Sequence, residues 1–290
     1  MGDVFLPRLL PRIRRARDFR LYTEGGGRLV DLWQYGGRAL LGHTPPGLFR
    51  EIKNTAARGL AAPLPGFAEG RLLKALARIF PGRDFRLYAD EASLRRALAA
   101  AAYPPELSFP DPALPPDRFP AGDAASRALS LWRPFLDDRE AAPGIGLGVF
   151  PDVPVLVPVL PLPWPGGPQV LALEKAAARA FPPSDLLSPV ILAAAARSLY
   201  DLIAAAPLRG AVPFPKIKKA LSGLSWRRQG IYFSPPSPLT EGDHAALFRR
   251  FLEAGFLIPP DPQLPLILPA VLSPGEEAKL AGLLQRTFTT

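Results

Sequence analysis

The chain has 290 residues, 35 Lys and Arg against 26 Asp and Glu for a net charge of +9, 25 glycines, 38 prolines and no cysteine. With 48% hydrophobic and 21% charged residues it is too apolar for intrinsic disorder, and it is long enough for one large domain or two ordinary ones. The absence of cysteine excludes disulfides, thiolate metal sites and cysteine nucleophiles, and two histidines, His43 and His244, leave little scope for a metal centre.

Residues 1–60 carry +6 of the charge, with the densest run at Arg8, Arg12, Arg14, Arg15, Arg17 and Arg20. The run reads as a basic arm over residues 1–20, solvated or facing a partner subunit. Only Phe19 and Tyr22 stand beside it as stacking residues, so nucleic acid is not expected. Pro7 and Pro11 interrupt the apolar stretches that a secretion signal needs, and a cytoplasmic location is expected.

Two short apolar runs, Phe19 to Tyr22 and Arg28 to Leu32, flank Thr23-Glu24-Gly25-Gly26-Gly27 and predict a hairpin. Pro45-Pro46 opens a helix to about Arg58, proline being tolerated in a first turn. Leu72, Leu73, Leu76 and Ile79 recur on one face of a second helix, Phe67 to Ile79. A strand at Phe85 to Tyr88 leads directly into a helix from Glu91 to Ala102. Residues 103–125, rich in proline and without periodicity, predict a linker or surface loop.

Further strands are predicted at Val153 to Val159 and Gln169 to Leu173, then a helix over Leu186 to Ala206. That helix is long enough to span a membrane, but Arg197 and Asp201 within it would be costly in lipid, and the run Val153 to Trp164 is short and carries four prolines. No membrane span is expected. A helical turn near Lys216 to Leu221, a strand at Gly230 to Phe233, a helix from Glu241 to Ala254, a strand at Leu266 to Leu268 and a helix from Pro274 to Arg286 complete the chain. Ser273 followed by Glu276 is a capping-box pattern for the last start. Strands and helices alternate throughout, which predicts an α/β protein.

Arg28-Leu29-Val30-Asp31-Leu32-Trp33, Gly36-Gly37 and Leu41-Gly42-His43-Thr44-Pro45-Pro46 together resemble the N-terminal signature of class III aminotransferases, the glutamate-1-semialdehyde aminomutases included. Gly230-Ile231-Tyr232-Phe233, Phe251 through Pro260, and Leu272-Ser273-Pro274-Gly275-Glu276-Glu277 resemble the closing domain of the same family, in the same order. The resemblance implies a fold type I pyridoxal-phosphate transferase architecture, here reduced: a mixed sheet with flanking helices, plus a small α+β domain built from both chain ends. It places the small domain at 21–65 and 207–290 and a reduced large α/β domain, with Pro-rich connections, at 66–206. The chain between Asp90-Glu91 and Ser188-Pro189 is shorter than the family's large domain requires. His43 is a matched position, expected to satisfy backbone groups of its own turn.

The family's chemistry needs a Schiff-base lysine, a carboxylate against the pyridinium nitrogen, and a Gly/Ser/Thr turn at a helix N-terminus for the phosphate. Where that turn should be stands Tyr88-Ala89-Asp90-Glu91-Ala92: Asp90 and Glu91 are degenerate family positions, and the start reads as an Asp-capped helix. Ser184 matches a family hydroxyl that contacts phosphate, or caps a helix. Leu173 stands where the pyridinium partner is expected. Lys53, Lys74, Lys175, Lys216, Lys218, Lys219 and Lys279 all lack the Schiff-base context, Lys175 reading as the start of an alanine-rich helix. His244 reads as capping or exposed. Asp137, Asp138 and Glu140 read equally as cation ligands or as an ordinary surface loop, and Gly144-Ile145-Gly146-Leu147-Gly148 is a weak nucleotide-loop pattern.

No catalytic residue, metal or cofactor is therefore expected. The expected function is that of a catalytically inactive aminotransferase-like protein with a binding or assembly role, as a homodimer or as a heterodimer with an intact paralogue. The alternatives are a pyridoxal phosphate enzyme using a non-standard lysine, and an amino-acid or keto-acid binding protein.

Overall fold

A computed structural model describes residues 6–104, 106–115, 128–136, 147–148, 150–209, 214–224, 226–235 and 237–288. The candidate cluster Asp137, Asp138 and Glu140, residues 144–146 of the glycine run, and residues 116–125 of the Pro-rich stretch lie outside them.

The first sheet joins the two ends of the chain. β1 (Ile13–Arg17), β2 (Arg20–Thr23) and β3 (Arg28–Asp31) form an antiparallel meander, and β10 (Phe256–Leu257) lies parallel to β3 with Phe256 opposite Val30. The predicted hairpin turn is present: the Thr23 N–H donates to the Gly27 carbonyl at 2.9 Å, and Gly26 supplies the positive φ of 80°. The basic run differs from the expected arm. Its middle is the edge strand β1, whose side chains are mostly exposed, so the arginines line a sheet edge and discourage pairing with other strands. Ile-Arg-Arg-Ala-Arg has no apolar alternation, and the strand is held by backbone pairing to β2.

The second sheet has the order β4-β7-β6-β5, with β4 (Asp84–Tyr88), β5 (Leu129–Trp132), β6 (Val155–Pro158) and β7 (Gln169–Leu173). β7 runs antiparallel to both β4 and β6, and β5 parallel to β6, so the sheet is mixed. Its central strands are buried on both faces, and the period of two sorts their side chains into two cores. Leu156, Val170 and Ala172 join Leu72, Leu76 and Ile79 of α2 (Phe67–Ile79) and Leu199 of α4 (Pro189–Arg209). Val155, Val157, Leu171 and Leu173 join Leu94 and Leu98 of α3 (Glu91–Ala100). β5 was not among the predicted strands, because Leu-Ser-Leu-Trp is too short a run to show a period.

Helix α4 packs against α1 (Pro46–Ala56) and α2. By length and composition its stretch Pro189–Pro207 could cross a membrane, yet Leu192, Ala196, Leu199 and Leu202 are core residues here. Arg197 and Asp201, one turn apart, pair at 2.8 Å. The third sheet, order β11-β9-β8, is antiparallel and comprises β8 (Arg227–Gln229), β9 (Tyr232–Ser234) and β11 (Leu266–Ile267). Its turn residue Gly230 has φ 56°, and a Cβ there would collide with the Phe135 carbonyl oxygen.

Three further helices close the chain: α5 (Pro215–Ser222), α6 (Glu241–Glu253) and α7 (Pro274–Phe288). The capping box is formed in both directions: the Glu276 N–H donates to Ser273 Oγ at 3.2 Å, and the Ser273 N–H to Glu276 Oε2 at 2.8 Å. Glu276 also accepts from Arg20 at 2.6 Å and pairs with Arg28 at 3.0 Å, which ties the last helix to the first hairpin. His244 corrects its expectation. It is buried, and its ring Nε2–H donates to the Pro259 carbonyl at 3.0 Å, while Thr240 supplies the helix cap.

Candidate functional site

The turn from β4 into α3 is where the resemblance places a phosphate. Asp90 caps the helix: its Oδ1 accepts from the Ser93 N–H at 2.7 Å, and that amide with the Ser93 hydroxyl holds the carboxyl below its ordinary pKa. The Ala89 N–H donates to the carboxylate of Asp185 at 2.9 Å. Ser184 is no helix cap, since α4 begins five residues later; its hydroxyl accepts from the Leu87 N–H at 3.0 Å on the free edge of β4. Glu91 pairs with Arg95 at 2.9 Å. The structure thus brings Ser184, Asp185, Ala89 and Asp90 together, but each is already engaged, Ala89 with Asp185, Ser184 with Leu87 and Asp90 with Ser93. A phosphate dianion would meet two carboxylates and an Ala89 amide already engaged, a misfit by charge.

All seven lysines are exposed, including Lys175 beyond the end of β7. Lys175 precedes a short 3-10 turn, Ala177–Ala180, rather than the predicted helix. Leu173 is fully buried among apolar side chains. Among the described residues no three His, Asp or Glu side chains are grouped to hold a metal ion.

A second turn, following β3, is built differently. Gln34, Tyr35, Gly36 and Gly37 are four successive residues with positive φ, at 47°, 51°, 67° and 100°. Left-handed backbone is costly for Gln34 and Tyr35, and such strain persists only where surroundings over-determine it. The buried Asp31 carboxylate accepts from the Trp33 and Gln34 N–H groups at 2.9 and 2.8 Å through Oδ1, and from the His43 Nε2–H at 2.9 Å through Oδ2. His43 therefore orients a carboxylate rather than satisfying backbone with its ring. The Gln34 amide donates to the Ile267 carbonyl at 3.1 Å. From the other side Arg133 donates to the Gly36 carbonyl at 2.7 Å, and a bidentate pair with Asp111, at 2.7 to 2.9 Å, fixes its fork. Burial pushes the Arg133 pKa down, and the Asp111 carboxylate outweighs it, so the guanidinium is held above its ordinary value.

What this framework presents is unpaired. Among the described residues the half-buried Arg38 guanidinium has no hydrogen bond and no carboxylate at ion-pair distance. Burial lowers its pKa, Tyr35 and Glu91 counter that in part, and Arg133 adds to it. The Tyr35 hydroxyl also makes no hydrogen bond to the described residues, and its ring lies 5.2 Å from that of Trp33. Trp33 Nε1 and Gln34 Oε1 are buried with no partner. Buried polar atoms are rarely left so, and each such case calls for an explanation. The sequence reading did not single out Tyr35 and Arg38; the pair Gly36-Gly37 beside them was the signal for an unusual backbone.

No profile of a known protein family matches the chain. Across 90% of its length it is 30% identical to an uncharacterized protein of Treponema pallidum (strain Nichols), covering 89% of that protein. An uncharacterized protein of Borreliella burgdorferi is 40% identical over 80 residues, 28% of this chain and 30% of that protein. In fold the chain is similar to the ornithine delta-aminotransferase of Plasmodium falciparum, with a TM-score of 0.63 and 13% identity over 95% of this chain and 92% of that one. It is similar also to the acetylornithine aminotransferase of Elizabethkingia anophelis, with a TM-score of 0.65 and 13% identity over 96% and 93%. The N-acetylornithine aminotransferase of Stenotrophomonas maltophilia gives 0.60 and 16% over 97% of each chain. The chain therefore belongs to one family with the Treponema pallidum protein, and its fold is that of the class III aminotransferases.

Proposed function

We propose that this protein binds or assembles rather than catalyses, on an aminotransferase fold that does not hold pyridoxal phosphate. The observation that carries the reading is the exposure of all seven lysines, since a Schiff base needs a lysine amine sheltered from water beside a cofactor pocket. The Asp185 carboxylate on the Ala89 amide supports it, because that group takes a donor which a phosphate would require. In this reading the chain acts as a homodimer or beside an intact aminotransferase chain.

The test is an absorption spectrum of the purified protein, taken before and after incubation with pyridoxal phosphate and followed by borohydride. The expected result is no aldimine band and no reduced adduct. A band fixed by borohydride onto a single lysine would establish the competing reading, an enzyme with a non-standard lysine. Sedimentation of the purified chain is expected to show a dimer, alone or on addition of an intact paralogue; a monomer in both cases overturns the assembly role.

A further inference from the structure

At the opposite end of β4 from the Ala89 turn, an open groove of about 530 Å³ lies between the strand and α2, a volume in the range of small-molecule sites. Leu73, Ala77 and Phe85 give it apolar surface, and Lys74, Arg83, Arg86 and Asp84 line it with charge. Both arginines are half-buried, yet among the described residues neither has a carboxylate at ion-pair distance. Arg83 donates to the carbonyls of Val153, Pro154 and Ala172 at 2.9 to 3.3 Å, and Arg86 to those of Phe85 and Ala178 at 3.0 and 3.4 Å. Carbonyls hold a guanidinium in place without neutralising it. Burial lowers the Arg83 pKa, and Glu174 and Asp152 counter that only from beyond ion-pair distance. Arg86 Nε is buried with no partner at all. Half-buried cations are ordinarily paired, and two that line one groove repel each other until an anion enters.

We propose that this groove binds an organic phosphate monoester with an apolar body, its headgroup met by Arg83, Arg86 and Lys74. Three cations against the single carboxylate of Asp84 leave a surplus of two positive charges, which matches a phosphate dianion. Asp84 is exposed, so water and salt screen its repulsion, whereas the phosphate position at the Ala89 turn meets two carboxylates and no free cation of this kind. The carbonyl contacts fix both guanidiniums before a ligand arrives, which lowers the cost of ordering them. Leu73, Ala77 and Phe85 supply the apolar area that an alkyl or aryl body would cover and that inorganic phosphate would leave bare. The inference goes beyond the non-catalytic reading and does not depend on it, because the groove and the Ala89 turn lie at opposite ends of the strand.

The test is a titration of the 15N-labelled protein, without added pyridoxal phosphate, with hexyl phosphate at constant ionic strength, following the Arg83 and Arg86 side-chain Nε–H signals. Saturation with a dissociation constant on the order of 0.1–1 mM is expected for a probe of this size. Inorganic phosphate and hexan-1-ol, each lacking one half of the ligand, should bind at least tenfold more weakly. Ala77→Glu sets a carboxylate in the groove from an exposed helix position and should weaken hexyl phosphate at least tenfold, with near-ultraviolet circular dichroism unchanged; Lys74→Gln should weaken it about threefold. Arg58→Gln, exposed and outside the groove, should leave it unaltered. Shifts that never saturate, undiminished affinity in Ala77→Glu, or either half-ligand binding as tightly as hexyl phosphate would each overturn the assignment. An aldimine band on adding pyridoxal phosphate would overturn the non-catalytic reading and leave the groove as it stands, whereas failure to bind hexyl phosphate overturns only the groove.

Discussion

At the end of β4, the Ala89 amide and the start of α3 are met by carboxylates of the chain itself, Asp185 and Asp90. Past the end of β3, Tyr35 and Arg38 meet no such partner among the described residues, although the backbone beneath them is strained and held by two buried carboxylates. The first turn is a finished piece of protein, with its polar groups spent on stability. The second leaves buried polar atoms of Trp33 and Gln34 without partners on a strained backbone. The two turns thus differ in how much of their polar capacity the chain itself satisfies.

The contrast can be tested most severely at its base. Asp111→Ala leaves Arg133 buried without its carboxylate and should cost about 3–5 kcal/mol, read as a lowered urea midpoint. A loss below about 1 kcal/mol would mean that the brace is not rigid.

Acid acts elsewhere, on the ion pairs that tie the last helix to the first hairpin. Burial raises the pKa of Glu276, but the Arg20 guanidinium and the Ser273 amide outweigh burial and bring it from 4.5 to about 2. Because the folded value lies below the unfolded one, the stability it contributes, about 2–3 kcal/mol, is full above roughly pH 5 and is lost as the pH falls towards 2. Thermal midpoints between pH 5 and 2 should fall more gently in Glu276→Gln than in the natural protein.

Gly37→Ala, at φ 100° with Arg133 Nη1 in the way, should cost about 1–3 kcal/mol and disturb Arg38. Gly36→Ala, at φ 67° and with no atom nearer than Leu264 at 3.9 Å, should cost about 1 kcal/mol. Equal losses in denaturation curves would show that the close fit against Arg133 is unimportant.

The smallest effects sharpen the comparison itself. Asp185→Ala removes a partner and should lower stability by about 1 kcal/mol. Arg38→Gln removes a guanidinium with no hydrogen bond to the described residues and should change it by less than about 0.5 kcal/mol. If Arg38→Gln proved the more costly of the two, the opposition drawn between the turns would be reversed.

Much of the scaffold could be read from local pattern. The apolar face of α2, the Asp90 cap, the Ser273-Glu276 capping box and the Gly25-Gly26-Gly27 hairpin appear as predicted, because each depends on residues within a turn or two of one another. The strands that escaped notice, β1, β5 and β8, are short or charged, and they exist because a neighbouring strand completes their hydrogen bonds. The site was legible only in part. His43 and the glycine pair stood out, but nothing in the sequence linked Asp31 to His43 or Asp111 to Arg133.

By itself, the sequence determined the alternation of strands and helices, the resemblance to the aminotransferase fold, and the absence of a lysine in Schiff-base context. All three are matters of residue type and near spacing. Tertiary structure alone decided which charges are matched and which are left over. Arg133 and Gly36 are 97 positions apart, and Ala89 and Asp185 are 96, so their pairing is a product of how the sheets and helices close on one another. Whether an arginine such as Arg38 is a solvated surface charge or an anchor depends on what the rest of the chain fails to bring near it, and residue spacing carries no record of that.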